Sequence, residues 1–210
     1  MSTPTTPLAR SKSAALSRII DSIPRGYIRY TSGVVTADRV QHLTRKLHRI
    51  HEVAASPARR ITRKKSGKAN ALLVLYCPEG AAQASWLMLF TEGSLNAHEK
   101  LHHVDERPRL TWLGYELSRH TSAGSARWTW RRPSAEMCDL YTLLDDHLKH
   151  RSMTAVRGLL ERAARQPGFH GVREQSWRLC AEARRRGYLG ELPQLFYMSK
   201  ISHGERMIVL

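Results

Sequence analysis

Acidic residues are scarce in this 210-residue chain, 18 Asp and Glu against 34 Lys and Arg, and cysteine is scarcer still. The three cysteines (Cys77, Cys138, Cys180) are odd in number and widely spaced, which excludes a disulfide framework and CxxC metal spacing. Isolated thiols of this kind suit a reducing compartment. Long apolar runs are absent too. The longest spans residues 71–77, against the roughly 20 residues a membrane-crossing helix needs. The opening MSTPTTPLARSKSAAL lacks the apolar core of a signal peptide. A cytoplasmic protein without membrane attachment is the expectation. Neither GxGxxG, a P-loop nor GxSxG occurs, so no cofactor is expected.

What is present is positive charge, and it is polarised. The formal net charge is +16. Residues 1–68 hold 15 Lys and Arg against Asp21, Asp38 and Glu52, so three quarters of the excess lies in the first third. A polarised field of this sign attracts polyanions, nucleic acid foremost. Its densest stretch is SPARRITRKKSGK, residues 56–68, with six Lys and Arg and no acid.

The periodicities predict an α+β fold: a mainly antiparallel sheet of four or five strands with a basic helix, followed by a helical C-terminal subdomain. Residues 1–22 read as a flexible basic segment with a short helix near 13–20, and the Pro/Thr-rich 1–9 as disordered. Residues 23–132 read as the sheet domain. Strands are expected at 27–31, at ALLVLYC (71–77), at SWLMLFT (85–91), and at RLTWLGYELSRH and ARWTWRR, joined by a TSAGS turn. A helix over 37–53 places Val40, Leu43, Leu47 and Ile50 on one face. Its other face carries Arg39, Arg45, Lys46, Arg49, His42, His48 and His51. Residues 56–68 read as a mobile basic loop. Residues 133–210 read as three helices packed on the sheet, with a final strand pair at PQLFYMSKI and RMIVL.

Three constellations invite chemistry. HEKLH, residues 98–102, fits HExxH: on a helix, His98 and His102 would bind zinc with Glu99 as general base. Polar neighbours crowd it, and Asp105, Glu106 and His120 offer third ligands at no established spacing, so a solvated segment is the preferred reading and no metal is expected. In RWTWRR the alternation sends Trp128 and Trp130 to one side and Arg127, Thr129 and Arg131 to the other. That favours core tryptophans, with Arg127 and Arg131 as phosphate contacts. A helix-turn-helix over 152–186 would place Arg173, Gln175, Ser176 and Arg178 on a reading helix. Its five-residue break favours an ordinary αα-hairpin.

On RLTWLGYELSRH, ARWTWRR and PGFHGVREQ the chain resembles uncharacterised accessory proteins, some labelled integrase regulators, of integrative and conjugative elements and related plasmids. The resemblance spans roughly residues 70–198 and brings no catalytic signature. It implies a bacterial mobile-element setting in which a basic protein meets DNA, favouring DNA over RNA, with other mobile-element proteins as further partners. The reading is therefore a non-enzymatic nucleic-acid-binding accessory protein. The expected contacts are Arg39, Arg45, Lys46, Arg49, Arg59, Arg60, Arg63, Lys64, Lys65, Lys68, Arg127 and Arg131, assisted by the Arg184–Arg186 run. A nucleic-acid-cleaving enzyme, with His as acid/base and Arg on the phosphate, is one alternative. A basic adaptor for an acidic protein is the other.

Overall fold

A computed structural model describes residues 5–95, 99–122, 125–197 and 205–208. The fold is α+β, and the chain divides into two compact units: Met1–Pro108 with Ile201–Leu210, and Arg109–Lys200. No described helix is long and apolar enough to cross a membrane.

The first unit is built on a six-stranded sheet. In chain order its strands are β1 (Thr5–Ala9), β2 (Arg29–Thr36), β3 (Ala71–Tyr76), β4 (Gln83–Phe90), β5 (His102–His103) and β9 (Glu205–Ile208). The spatial order is β5-β2-β4-β3-β1-β9. All neighbours are antiparallel except β1 and β3, which run parallel with Leu8 opposite Leu75. The apolar runs expected at the centre are β3 and β4. They pair Leu73 with Met88 and Ala71 with Phe90, and both faces are buried, as central strands of continuous apolar sequence require.

Helix α1 (Lys12–Ser22) starts at Ser11, whose hydroxyl accepts the Ala14 N–H at 3.2 Å, and packs Ala15, Leu16 and Ile19 inward. Helix α2 (Val40–His51) lays Val40, Leu43 and Leu47 on Leu73, Leu75, Met88 and Phe90. The segment 5–22 is thus folded, contrary to the flexible arm expected. Pro7 disguises β1, because proline normally demotes a strand reading, yet β1 is held between β3 and the C-terminal β9.

The second unit corrects the expected boundary at 132. The hairpin of β7 (Tyr115–Ser122) and β8 (Ser125–Arg131), with β6 (Thr111–Trp112), forms its own three-stranded antiparallel sheet. It belongs with helices α4 (Ser134–Lys149), α5 (Met153–Ala164) and α6 (His170–Arg185). Leu144, Val156, Leu159, Leu160, Leu179 and Ala183 make the helical core. Trp130 is fully buried (0% exposed), as its alternation predicts, and Trp128 is half-buried with the Arg119 guanidinium 4.7 Å from its ring centre. Residues 191–197 form no strand, and β9 pairs with β1 instead.

One histidine on α2 ties stability to pH. His48 donates to or accepts from Thr6 Oγ1 across 2.6 Å, joining α2 to β1. Burial holds it below the ordinary imidazole value of 6.5, so the folded state prefers it neutral. The unfolded chain then binds more protons just below that value, and stability falls as pH drops through it. Melting between pH 7.5 and 5.5 is expected to show this slope, with His48→Gln flattening it. An equal slope in the variant would remove His48 as its source.

Candidate nucleic-acid interface

The charge-dense stretch 56–68 is not a loop. It forms helix α3 (Pro57–Lys65), and its ends are written in the sequence. Ser56 caps it, accepting the Arg59 N–H at 3.2 Å, and Pro57 takes the first helical position, where its missing N–H costs nothing. At the other end Gly67 is left-handed (φ 70°), and the Gly67 and Lys68 N–H groups donate to the Lys64 and Arg63 carbonyls at 3.1 and 2.9 Å. That pair of bonds is a Schellman closure. The late Arg63, Lys64 and Lys65 favour the negative end of the helix dipole.

Helix α3 has no apolar stripe to bury, since Ile61 is 58% exposed. It is anchored by an arginine. Arg63 is 3% exposed; its Nε and Nη2 donate to the Ala69 carbonyl at 3.2 and 2.6 Å, and its Nη1 to Glu52 at 2.5 Å. Glu52 also accepts two bonds from Arg59, at 2.8 and 3.2 Å. The Arg59 hydrogen bonds, with Arg63 beside them, hold the Glu52 carboxyl below the ordinary range, so it remains charged and clasps α2 to α3. Arg63 is therefore withdrawn from the expected phosphate contacts, and Arg59 is already paired.

The remaining cations face outward. Arg39 just before α2, Arg45, Lys46 and Arg49 on α2, and Arg60, Lys64, Lys65 and Lys68 on or beside α3, are all exposed. Among the described residues, Arg45, Lys46, Arg49, Arg60, Lys64, Lys65 and Lys68 have no carboxylate within salt-bridge distance. Of the three α2 histidines only His42 joins this face. His51 is buried, 3.2 Å from Glu99 and edge-on to Phe90, and His48 turns to Thr6. Acids in residues 37–68 number two, Asp38 and Glu52, and Glu52 is consumed by the clasp.

The other expected contacts lie in the second unit and are mostly engaged. Arg127 is exposed, but Arg131 is half-buried and donates to Glu174 at 3.0 Å. Arg184 bonds the Tyr188 carbonyl, Arg185 pairs with Glu182, and Arg186 with Asp145. A reading helix is not available on α6 either. Ser176 is buried, Gln175 bonds the Arg132 backbone, Arg178 pairs with Glu174, and the Arg173 guanidinium lies 3.4 Å from the Tyr197 ring centre. Trp177 is 63% exposed.

HEKLH does not form the zincin helix. His98 lies outside the described residues, Glu99–Leu101 are non-helical, and His102 sits on β5 opposite Tyr30. Glu99 is turned to His51, not poised over a metal. Sequence reasoning missed two arrangements: the buried Arg132 and a cluster of His120, His170 and Glu174. The HxxxE spacing of residues 170–174, one helical turn, was the available signal for the second. No protein-family model, curated protein or solved structure matches the chain.

Proposed function

We propose that this protein binds nucleic acid through the outer faces of α2 and α3, as a non-enzymatic accessory protein. The observation that carries the reading is the set of seven exposed cations, without a carboxylate partner among the described residues, on and beside two consecutive helices clasped together by Glu52. Cations without carboxylate partners are the ones that neutralise phosphates and release condensed counterions, a gain independent of sequence. Helices that present side chains at fixed one-turn spacing position such contacts better than a mobile loop does. DNA of a mobile element is the preferred ligand on the resemblance over roughly residues 70–198.

Fluorescence anisotropy with equal-length duplex DNA, single-stranded DNA and RNA at several salt concentrations tests the reading. Micromolar duplex binding with a steep salt slope is expected. The Arg45/Lys46/Lys64/Lys65 quadruple alanine variant should lower the slope by about three to four and the affinity at least tenfold at moderate salt. Arg127→Ala should change little. Unaltered affinity in the quadruple variant would remove the α2–α3 surface, and strand cleavage during the titration would favour the enzymatic alternative.

A further inference from the structure

The polar face of the β7–β8 hairpin meets the start of α6. Alternation puts Glu116, Ser118 and His120 of β7 on one face with their cross-strand partners Arg131, Thr129 and Arg127 of β8. Helix α6 approaches that face at Gly171, whose N–H donates to Thr129 Oγ1 at 3.0 Å. A Cβ on Gly171 would lie 2.6 Å from the Trp130 carbonyl and 2.5 Å from Arg131 Cγ, so glycine is what permits the close approach. The neighbouring His170 is thereby held against His120, ring centres 3.6 Å apart at 27°. One turn further along, Glu174 brings its carboxylate to the same spot. The ligand-capable atoms of His120, His170 and Glu174 all lie within 4.8 Å of one another.

We propose that these three residues form a divalent-metal site of zinc type, with two imidazole nitrogens and one carboxylate oxygen as ligands. Nitrogen and oxygen donors in this ratio suit zinc, and three protein ligands leave a fourth position open. Bonds of about 2.1 Å require ligand atoms roughly 3.4 Å apart, so a modest closure of the cluster suffices. The stacked rings must tilt for both lone pairs to converge, which half-buried and exposed side chains can do.

The arginines around Glu174 prepare the site. Glu174 accepts Arg131 at 3.0 Å and Arg178 at 2.5 Å, one on each oxygen. A carboxylate offers about four lone-pair directions, so both bonds can persist while a metal takes another. Hydrogen bonds of this kind orient a ligating carboxylate. The same arginines oppose a bare cation, and they stabilise an anion, hydroxide or phosphate, in the open position.

The test uses the full chain, stripped with chelator and titrated with Co²⁺, then Zn²⁺ in competition. One equivalent is expected to bind with the intense visible bands of four-coordinate cobalt, and zinc should displace it and raise the melting temperature. His120→Ala and His170→Ala should each weaken binding at least tenfold, while His42→Ala, on exposed α2, leaves it unchanged. The exposed His170 can be replaced without disturbing the core, and His170→Gln provides a second folded variant should His120→Ala unfold. Absence of saturable uptake, or uptake unaltered by both His170 variants, overturns the proposal. Metal held by the chain's other histidines would produce the latter result.

Discussion

Replacing Arg132 by methionine is expected to destabilise the protein by about 3–5 kcal/mol, the usual cost of stripping one partner from a buried ionic network. The Arg132 side chain is fully enclosed (0% exposed), and each of its three guanidinium nitrogens donates inside the second unit. Its Nε donates to Gln166 at 2.8 Å, Nη1 to the Val172 carbonyl at 3.1 Å, and Nη2 to the Ala163 carbonyl at 2.6 Å and Ser176 at 2.8 Å. Glu136 stands 3.7 Å away. Gln175 closes the arrangement by accepting the Arg132 backbone N–H and donating to its carbonyl. One guanidinium thus joins the end of β8, the end of α5 and the first turns of α6.

Methionine fills a similar volume but leaves Gln166, and through it Tyr115 and Glu136, without their positive centre. Burial already pushes the Tyr115 hydroxyl up to about 12 against the pull of Arg132, so that hydroxyl remains a neutral donor to Gln166. Lysine restores the charge but offers a point donor on a flexible stem, where a planar fork is required. Arg132→Lys should therefore recover only part of the loss. Urea unfolding of the full chain reads this free energy directly, and thermal unfolding should show a melting temperature lowered by roughly 6–20 °C for Arg132→Met. A loss under about 1 kcal/mol would mean the network is dispensable.

Local elements were legible in the sequence wherever a period or a cap speaks. The apolar runs of β3 and β4, the Trp/Arg alternation of β8 and the three helices α4 to α6 lie where their periodicity put them. Helix α3 reads as a loop although Ser56-Pro57 and Ser66-Gly67 mark its two ends, because it lacks the apolar stripe that normally announces a helix. Long-range choices left no local trace. Nothing in TTPLA says that it pairs with a strand some 200 residues later, and nothing in the hairpin says that it leaves the first sheet for its own.

The same division runs through the charges. Net charge is a compositional property, so a basic surface could be expected from the chain alone. Which cations serve the interior depends on where a carboxylate or free carbonyl happens to lie. Arg63, Arg131 and Arg132 are three such cases, each indistinguishable in sequence from its exposed neighbours Lys64, Arg127 and Arg60. His120 likewise meets His170 only because Gly171 lets the helix sit close to the hairpin.

That distinction gives the second large effect. Arg63→Met should cost about 2–4 kcal/mol, while Lys64→Ala and Lys65→Ala, one and two residues along the same helix, should each stay within about 0.5 kcal/mol. Arg63 reaches the Ala69 carbonyl with two donors and Glu52 with a third. Without it, α3 keeps its caps but loses its only inward side chain, and Glu52 is left to the exposed Arg59. Binding should respond in the reverse order. Lys64→Ala with Lys65→Ala lowers the salt slope by about two and leaves the melting temperature alone. Arg63→Met lowers the melting temperature, and under conditions where the variant is fully folded its salt slope stays that of the parent protein. Should Arg63→Met instead shift the salt slope by one while leaving stability untouched, Arg63 would face the phosphates, and the α2–α3 clasp would not be what holds the basic surface together.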